Sequence, residues 1–228
     1  MTDSNNNQSI SSFSVQDCVL APIATGIKAQ NAREFTEKLA TVPAGCLFYH
    51  FWSGRLRSTV YYWEFHNDFS YWTHHCLHDN ILTERLEILD PVMHKDIEEL
   101  RAVIIDIFEN RMDELENIPW AKKEDQFHFI YSKIVVFNTR FVMHDPKDLL
   151  DILPLMSKSS IFYHFIDGRR RTPENEDDFS RWLKSFSGKY DDLIFQLKKI
   201  DPFFISLSDL QTKLISVINN YFHTYQVY

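Results

Sequence analysis

The residues best suited to bind a ligand recur in two stretches of the 228-residue chain. Phe48-Tyr49-His50-Phe51 returns 114 residues later as Phe162-Tyr163-His164-Phe165, and each tetrad is soon followed by Gly-Arg-x-Arg. On a helix, positions i, i+4 and i+7 share a face. Guanidinium groups bind phosphate and carboxylate oxygens bidentately. The pattern predicts a basic, aromatic surface for anionic groups, built from His50, Arg55, Arg57, His164, Arg169 and Arg171.

The same residues also fit a purely structural role. Each histidine can hydrogen-bond a neighbouring backbone group. Arg57 can pair with Asp68, and Arg171 with Asp178, so that successive helices are locked together. A glycine inside a helix costs up to about 1 kcal/mol relative to alanine. The glycine four residues after each histidine, Gly54 or Gly168, therefore indicates close approach by another backbone, an aromatic ring or a ligand. The ligand-binding and the structural interpretation both stay open.

A second group of histidines offers metal-binding chemistry. His74 and His78 lie four residues apart, a spacing that lets two imidazoles of one helix bind the same ion, and His66 is a candidate third ligand. There is no HExxH motif, and the corresponding positions of the second half hold Lys184 and Gly188. A metal-dependent enzyme using these histidines is the alternative hypothesis, and no cofactor is predicted on the main one.

Nucleophilic catalysis is a third chemistry that the spacing allows. Cys46 lies four residues before His50 and would share its helix face, and Ser53 follows on the same helix. The second stretch has Ser160 at the cysteine position, so the pair does not recur. The sequence contains neither a glycine-rich phosphate loop nor a GxSxG elbow. A familiar type of enzyme is disfavoured.

Composition restricts the partners and the compartment. The net charge of −8 argues against a cationic surface for nucleic acid or membrane, and the 44% hydrophobic and 15% aromatic content is typical of an ordered protein with an aromatic core. The three cysteines lack CxxC spacing, which disfavours a disulfide framework or a structural zinc site. With neither a secretion signal nor a long apolar run, the chain is expected to be soluble and cytoplasmic.

The elements that position these residues also repeat. Asp68-Phe69-Ser70-Tyr71-Trp72 is answered by Asp178-Phe179-Ser180-Arg181-Trp182 at an offset of 110 residues. This repetition predicts an internal duplication. We expect a mainly α protein of two tandem homologous helical domains, with one or two short strands near the start of each. The predicted limits are a disordered tail at 1–12, a first domain at 13–116, a linker at 117–126 and a second domain at 127–228.

Local signals give the helix starts. Phe13–Gln30 and Phe127–His144 are each read as a buried strand or as a helix leading into a short strand. Asn31 and Asp145 precede helical patterns. Asp68 and Asp178 are predicted to be the N-caps of later helices, and Asp-Pro pairs end the helices that follow those.

Carboxylates are dense between Asp96 and Glu116, at spacings of three and four residues. Most such runs are the solvated face of an amphipathic helix. An acidic stripe of this length could also dock a basic partner.

The motifs together resemble a small bacterial and archaeal family of proteins without an established activity. The resemblance rests on the YHF tetrads and on Asn67-Asp68-Phe69-Ser70 with Trp72, and it spans most of both halves. The second copy departs from it by having Asp177 in place of Asn67. The resemblance implies a shared fold and transfers no catalytic residue.

The sequence therefore favours a non-catalytic binding or regulatory module over an enzyme. Its expected partner is an anionic small molecule or another protein. A homo-oligomer in which an aromatic surface serves only assembly is the third hypothesis.

Overall fold

A computed structural model describes residues 12–56 and 64–224, except for the side chain of Arg55. The chain forms two compact units. The middle unit holds residues 19–135, and the terminal unit combines the residues up to Cys18 with those from Val136 onward.

Two long strands, β1 (Phe13–Ala29) and β2 (Phe127–Met143), pair into a two-stranded sheet. In the middle unit Thr25 Oγ1 donates to the carbonyl oxygen of Phe129 at 2.5 Å, and in the terminal unit Thr139 Oγ1 donates to that of Val15 at 2.7 Å. Residue numbers thus rise along β1 as they fall along β2, so the pair is antiparallel. Each strand contributes one end to each unit.

The prediction of a mainly α protein made of two tandem homologous helical domains is wrong. The fold is α/β, and its strands are 17 residues long, whereas about five or six residues are usual. The sequence hides them because buried and exposed residues alternate only near the strand ends, while most of residues 19–28 and 133–142 are exposed or half-buried. The strand interpretation of the two segments is the one that the structure supports.

Among its described residues, the middle unit packs five α-helices around its strand ends. They are α1 (Ala32–Leu39), α2 (Ala44–Leu56), α3 (Asp68–His75), α4 (Asn80–Glu87) and α5 (Ile97–Asp113). Phe35 lies at the centre of the core, with its ring centroid 4.3 Å from that of Phe108 and 5.5 Å from that of Trp72. The prediction of an aromatic core is confirmed here.

The terminal unit has several short helical pieces and one long helix. They are α6 (Leu149–Ile152), α7 (Lys158–Ile161), α8 (Gly168–Arg171), α9 (Asp178–Lys184), α10 (Asp191–Lys198) and α11 (Leu207–Thr224). The tetrad lies in a π-helical segment, Phe162–Asp167, that joins α7 to α8. Phe13 from β1 stacks on Phe179 of α9, with ring centroids 5.4 Å apart.

Helix starts follow the sequence signals in part. Asn31 accepts from the Glu34 N–H, and Asp145 forms a capping box, so both predicted starts are confirmed. The prediction that Asp68 and Asp178 are N-caps is wrong. Asn67 and Asp177, one residue earlier in each case, accept from the N–H groups of Ser70 and Ser180. Asp68 and Asp178 do not cap these helices, so their carboxylates are available for a different contact.

The predicted linker, 117–126, lies inside the middle unit. The Ala121 N–H donates to the carbonyl oxygen of Gln30 at 2.8 Å, and Trp72 Nε1 donates to that of Asp125 at 2.9 Å. The predicted domain limits stay a prediction. Over the described parts of the chain, no helix is both long and apolar enough to cross a membrane.

Gly168, which follows the second tetrad, has the close neighbour that its position in the sequence predicted. A Cβ atom built on Gly168 would lie 3.0 Å from the backbone nitrogen of Asp178 and 3.4 Å from Cα of Asp177. This glycine therefore lets the start of α9 pack directly against the start of α8.

Candidate functional site

His50 is buried in the middle unit and uses both of its ring nitrogens. Nε2 accepts the backbone N–H of Ile130 on β2 at 3.1 Å, and Nδ1 lies 2.8 Å from Oδ2 of Asp68. A backbone N–H can only donate a hydrogen bond, so Nε2 must accept it with its lone pair. The proton of the neutral ring therefore sits on Nδ1. The imidazole thus joins β2 to the first residue of α3.

His164 makes the corresponding contacts in the terminal unit. Its Nε2 accepts the N–H of Gln16 on β1 at 2.9 Å, and its Nδ1 lies 2.8 Å from Oδ2 of Asp178. Ser160 Oγ donates to the carbonyl oxygen of Gln16 at 2.8 Å. Both polar backbone groups of Gln16 therefore have partners on the helix that carries His164. We call each arrangement an Asp–His–strand bridge.

The two bridges occupy both ring nitrogens of His50 and of His164, the atoms that acid–base catalysis by these histidines would use. A ring whose Nε2 already accepts a backbone N–H has no lone pair left for a substrate proton or a metal ion. Cys46 is buried as well, and burial raises the pKa of its thiol although Arg101 opposes this. A protonated thiol is a poor nucleophile.

Arg171 is held by two buried carboxylates. Its Nε donates to Asp167 at 2.8 Å and its Nη2 to Asp178 at 2.6 Å, which confirms the predicted pairing with Asp178. Its guanidinium carbon also lies 4.2 Å from the ring centroid of Tyr163. Burial favours a raised pKa for Asp178, but the hydrogen bonds from His164 and Arg171 outweigh it and hold that pKa below its ordinary value.

Arg169 is buried and hydrogen-bonds to backbone carbonyl groups. Its guanidinium donates to the carbonyl oxygens of Leu197 and Ile200 at 3.3 Å and lies over the Phe165 ring at 4.3 Å. Arg57 and the side chain of Arg55 lie outside the described residues. Every predicted ligand-binding side chain that is described is thus built into the fold, and whether any of them binds a ligand stays a prediction.

Two arginines that the sequence interpretation did not select are more accessible. Arg170 is 53% exposed and pairs with Asp167, and Arg181 is 55% exposed and pairs with Asp178. The available signals were the second of the three arginines after Gly168 and the variable position of the Asp-Phe-Ser-x-Trp motif.

The three candidate metal ligands have separate surroundings. The backbone N–H and Nδ1 of His66 both contact Glu87, and the His74 ring packs on Phe65 with centroids 5.1 Å apart. His78 ends a turn with φ of 55°, in the left-handed region. Within residues 12–56 and 64–224, no cluster of three or more histidine, cysteine or acidic side chains could hold a metal ion.

A surface pocket of about 380 Å³ lies in the middle unit between the start of α4 and the end of α5. We call it the α4–α5 groove. Its apolar lining comes from Leu77, Ile81, Leu115 and Pro119. Ile81 is 47% exposed, and Trp120, the residue after Pro119, is 64% exposed. Ile81 lines the groove and Trp120 adjoins a lining residue in the chain, so both are accessible apolar side chains at this place.

The polar part of the groove is an ion network. Arg111 Nε donates to both carboxylate oxygens of Asp79, at 2.9 and 3.1 Å, and its Nη1 donates to Glu114 at 3.0 Å. Glu114 also accepts from Arg85 at 2.8 Å. Hydrogen bonds from Arg85 and Arg111 lower the pKa of Glu114. These contacts fix the last turn of α5 against the start of α4, so the walls of the groove are preformed.

The sequence interpretation missed the groove. Its residues come from α4, from the end of α5 and from the segment that was read as a linker. The one available signal was the Pro119-Trp120 pair within that polar segment.

The fold and these contacts describe a two-unit α/β protein with two Asp–His–strand bridges and a surface groove. The chain belongs to a family described as a family of unknown function (DUF5752), whose model matches residues 10–219. The predicted resemblance is confirmed to that extent, and neither its motifs nor the duplication is shown by the match.

One solved structure similar to this chain is the structure of OrfY from Thermoproteus tenax. The TM-score is 0.80 at 21% identity, and the match covers 92% of this chain and 95% of that chain. At this identity the similarity shows the fold. No curated protein matches the chain.

Replacing the terminal-unit imidazole should destabilise the protein strongly. His164→Ala leaves the Gln16 N–H without its acceptor and Asp178 without its imidazole donor. We expect the free energy of unfolding, measured by urea denaturation, to fall by about 2–4 kcal/mol. His164→Gln can restore an acceptor and should lose less. The exposed His144→Ala is the control, and a His164→Ala protein as stable as this control would contradict the structural role.

The Asp178 carboxylate should make stability depend on pH. Its pKa is lower in the fold than in the unfolded chain, so the ionised form adds stability above the ordinary pKa of 3.8, and this stability is lost as pH falls through the folded value. Asp178→Asn should therefore be less stable than the wild type at pH 7, and the difference should shrink toward pH 3. Urea unfolding across this range measures it, with the exposed Asp151→Asn as control. A difference that does not change with pH would contradict the assignment.

Proposed function

We propose that this protein is a non-catalytic binding module whose α4–α5 groove holds a segment of another protein. The observation that carries the proposal is the pocket with apolar side chains from Leu77, Ile81, Leu115 and Pro119, followed in the chain by Trp120, which is 64% exposed. Tryptophan is among the residues that contribute most to protein interfaces. A volume of about 380 Å³ is at the low end for small-molecule sites and suits one or two apolar side chains of a partner.

The Asp–His–strand bridges support the non-catalytic part of the proposal. They use the nitrogen atoms of His50 and His164 for folding, so these histidines are not available as acid–base groups. The groove itself contains one buried ion pair, Asp79 with Arg111, in which each charge is already compensated. Such a pair stabilises a wall more readily than it activates a substrate.

Selection of peptides from a random display library on the purified protein tests the proposal. Peptides that bind should lose at least about tenfold in affinity on Trp120→Ala or Ile81→Ser, because a tenfold change needs only the loss of part of one apolar contact. Met93→Ser is the matched control, since Met93 is also exposed, lies in the same unit and does not line the groove. Failure to select any peptide, or equal binding by all three variants, would count against the groove.

A surface for anionic groups is a second candidate function. It keeps Arg171 from the predicted set and adds Arg170 and Arg181. Arg170, Arg171 and Arg181 gather around two buried carboxylates, Asp167 and Asp178, and the side chains of Arg170 and Arg181 are more than half exposed. Inorganic phosphate should raise the melting temperature more than chloride at equal ionic strength, and the double variant R170Q and R181Q should abolish the difference. Equal effects of the two salts would exclude this candidate.

A further inference from the structure

We infer that the segment held by the α4–α5 groove is basic and amphipathic, with large apolar side chains on one face and lysine or arginine beside them. This inference rests on the proposed function, because it names the chemistry of the partner for the same groove. Its basis is the charge of the groove rim, considered together with the apolar lining.

The segments that form the groove carry an excess of carboxylates. Residues 77–85 and 111–120 contain five acidic residues and two arginines, a net charge of −3 with histidine neutral. The acidic residues are Asp79, Glu84, Asp113, Glu114 and Glu116. Both arginines are already taken, since Arg111 pairs with Asp79 and Glu114, and Arg85 pairs with Glu114.

Two of the remaining carboxylates lie where a partner could reach them. Glu84 is exposed one helical turn after Ile81, and therefore on the same side of α4. Glu116 is exposed between two residues that line the groove, Leu115 and Asn117. Among the described side chains, neither Glu84 nor Glu116 has an ion-pair partner.

Complementary charge selects among the partners that the apolar pocket alone would accept. A basic flank would place cations over two unpaired carboxylates, Glu84 and Glu116, whereas an acidic one would meet like charges directly and be rejected. The −8 net charge of the chain acts in the same direction at long range. The apolar side chains of the partner supply the affinity, and the carboxylates at the rim of the groove supply the preference for a basic segment.

The test uses two synthetic peptides of about 18 residues, or five helical turns. They share the same leucine and tryptophan face and carry either lysine or glutamate on the other face. Fluorescence anisotropy measures binding to the full chain at about 0.05 and 0.3 M NaCl, between which surface charges become strongly screened. The lysine peptide should bind at least about tenfold more tightly at low salt, and the preference should shrink at high salt.

Protein variants assign the preference to the rim. Removing two negative charges with E84Q and E116Q should weaken the lysine peptide roughly fivefold and leave the glutamate peptide unchanged or tighter. Thermal denaturation checks that this double variant is folded.

A second double variant is the matched control. E109Q and D113N remove the same number of charges from exposed positions of the same unit. Both residues lie two positions from Arg111, and therefore on the opposite face of α5 by the helical period. Binding of the lysine peptide should be nearly unaffected.

The outcomes separate this inference from the proposed function. If both peptides bind equally and Trp120→Ala abolishes both, the groove is a binding site and the basic preference is wrong. If neither peptide binds, both ideas fall. If the lysine peptide binds but ignores Trp120→Ala and the rim variant, it binds elsewhere and the inference is overturned.

Discussion

The imidazole that joins a strand N–H to a carboxylate at a helix start is the interaction on which each unit depends. A two-stranded sheet has two outer edges, and a buried N–H on such an edge needs an acceptor. A neutral imidazole supplies one acceptor and one donor in a rigid ring. His50 and His164 use this property to hold a strand, the helix that bears them and the next helix in one fixed arrangement.

This constraint explains why the capping residue and the aspartate after it are different residues. Asn67 and Asp177 satisfy the first turns of α3 and α9, so the next position is free to turn its carboxylate toward the histidine. In the terminal unit the carboxylate also receives Arg171, which holds the end of α8 against α9. Gly168 permits the approach because a Cβ atom would meet the Asp178 backbone at 3.0 Å.

Much of the helical framework could be predicted from sequence because caps and prolines act locally. Asn31 and the Asp145-Pro146 pair marked helix starts correctly. The strands were predicted only as one of two alternatives and their length was missed, because their central residues are solvated on both faces and show little alternation. The histidines drew attention for the right reason, recurrence with a fixed environment, but the partner of each Nε2 belongs to a strand far away in sequence. The groove escaped notice because its walls meet only in the folded unit, and Trp120 has no periodic signal of its own.

Each strand serves two units, and this has a consequence for how the chain can be made and cut. Residues 13–18 leave the ribosome before the whole middle unit but belong with the residues from Val136 onward. The terminal unit therefore has many contacts between distant positions, a property that slows folding. Cleavage near residue 120 would not release two intact domains. Each fragment would keep one strand whose ladder partner is on the other fragment, so the halves would have to find each other again before either unit was complete.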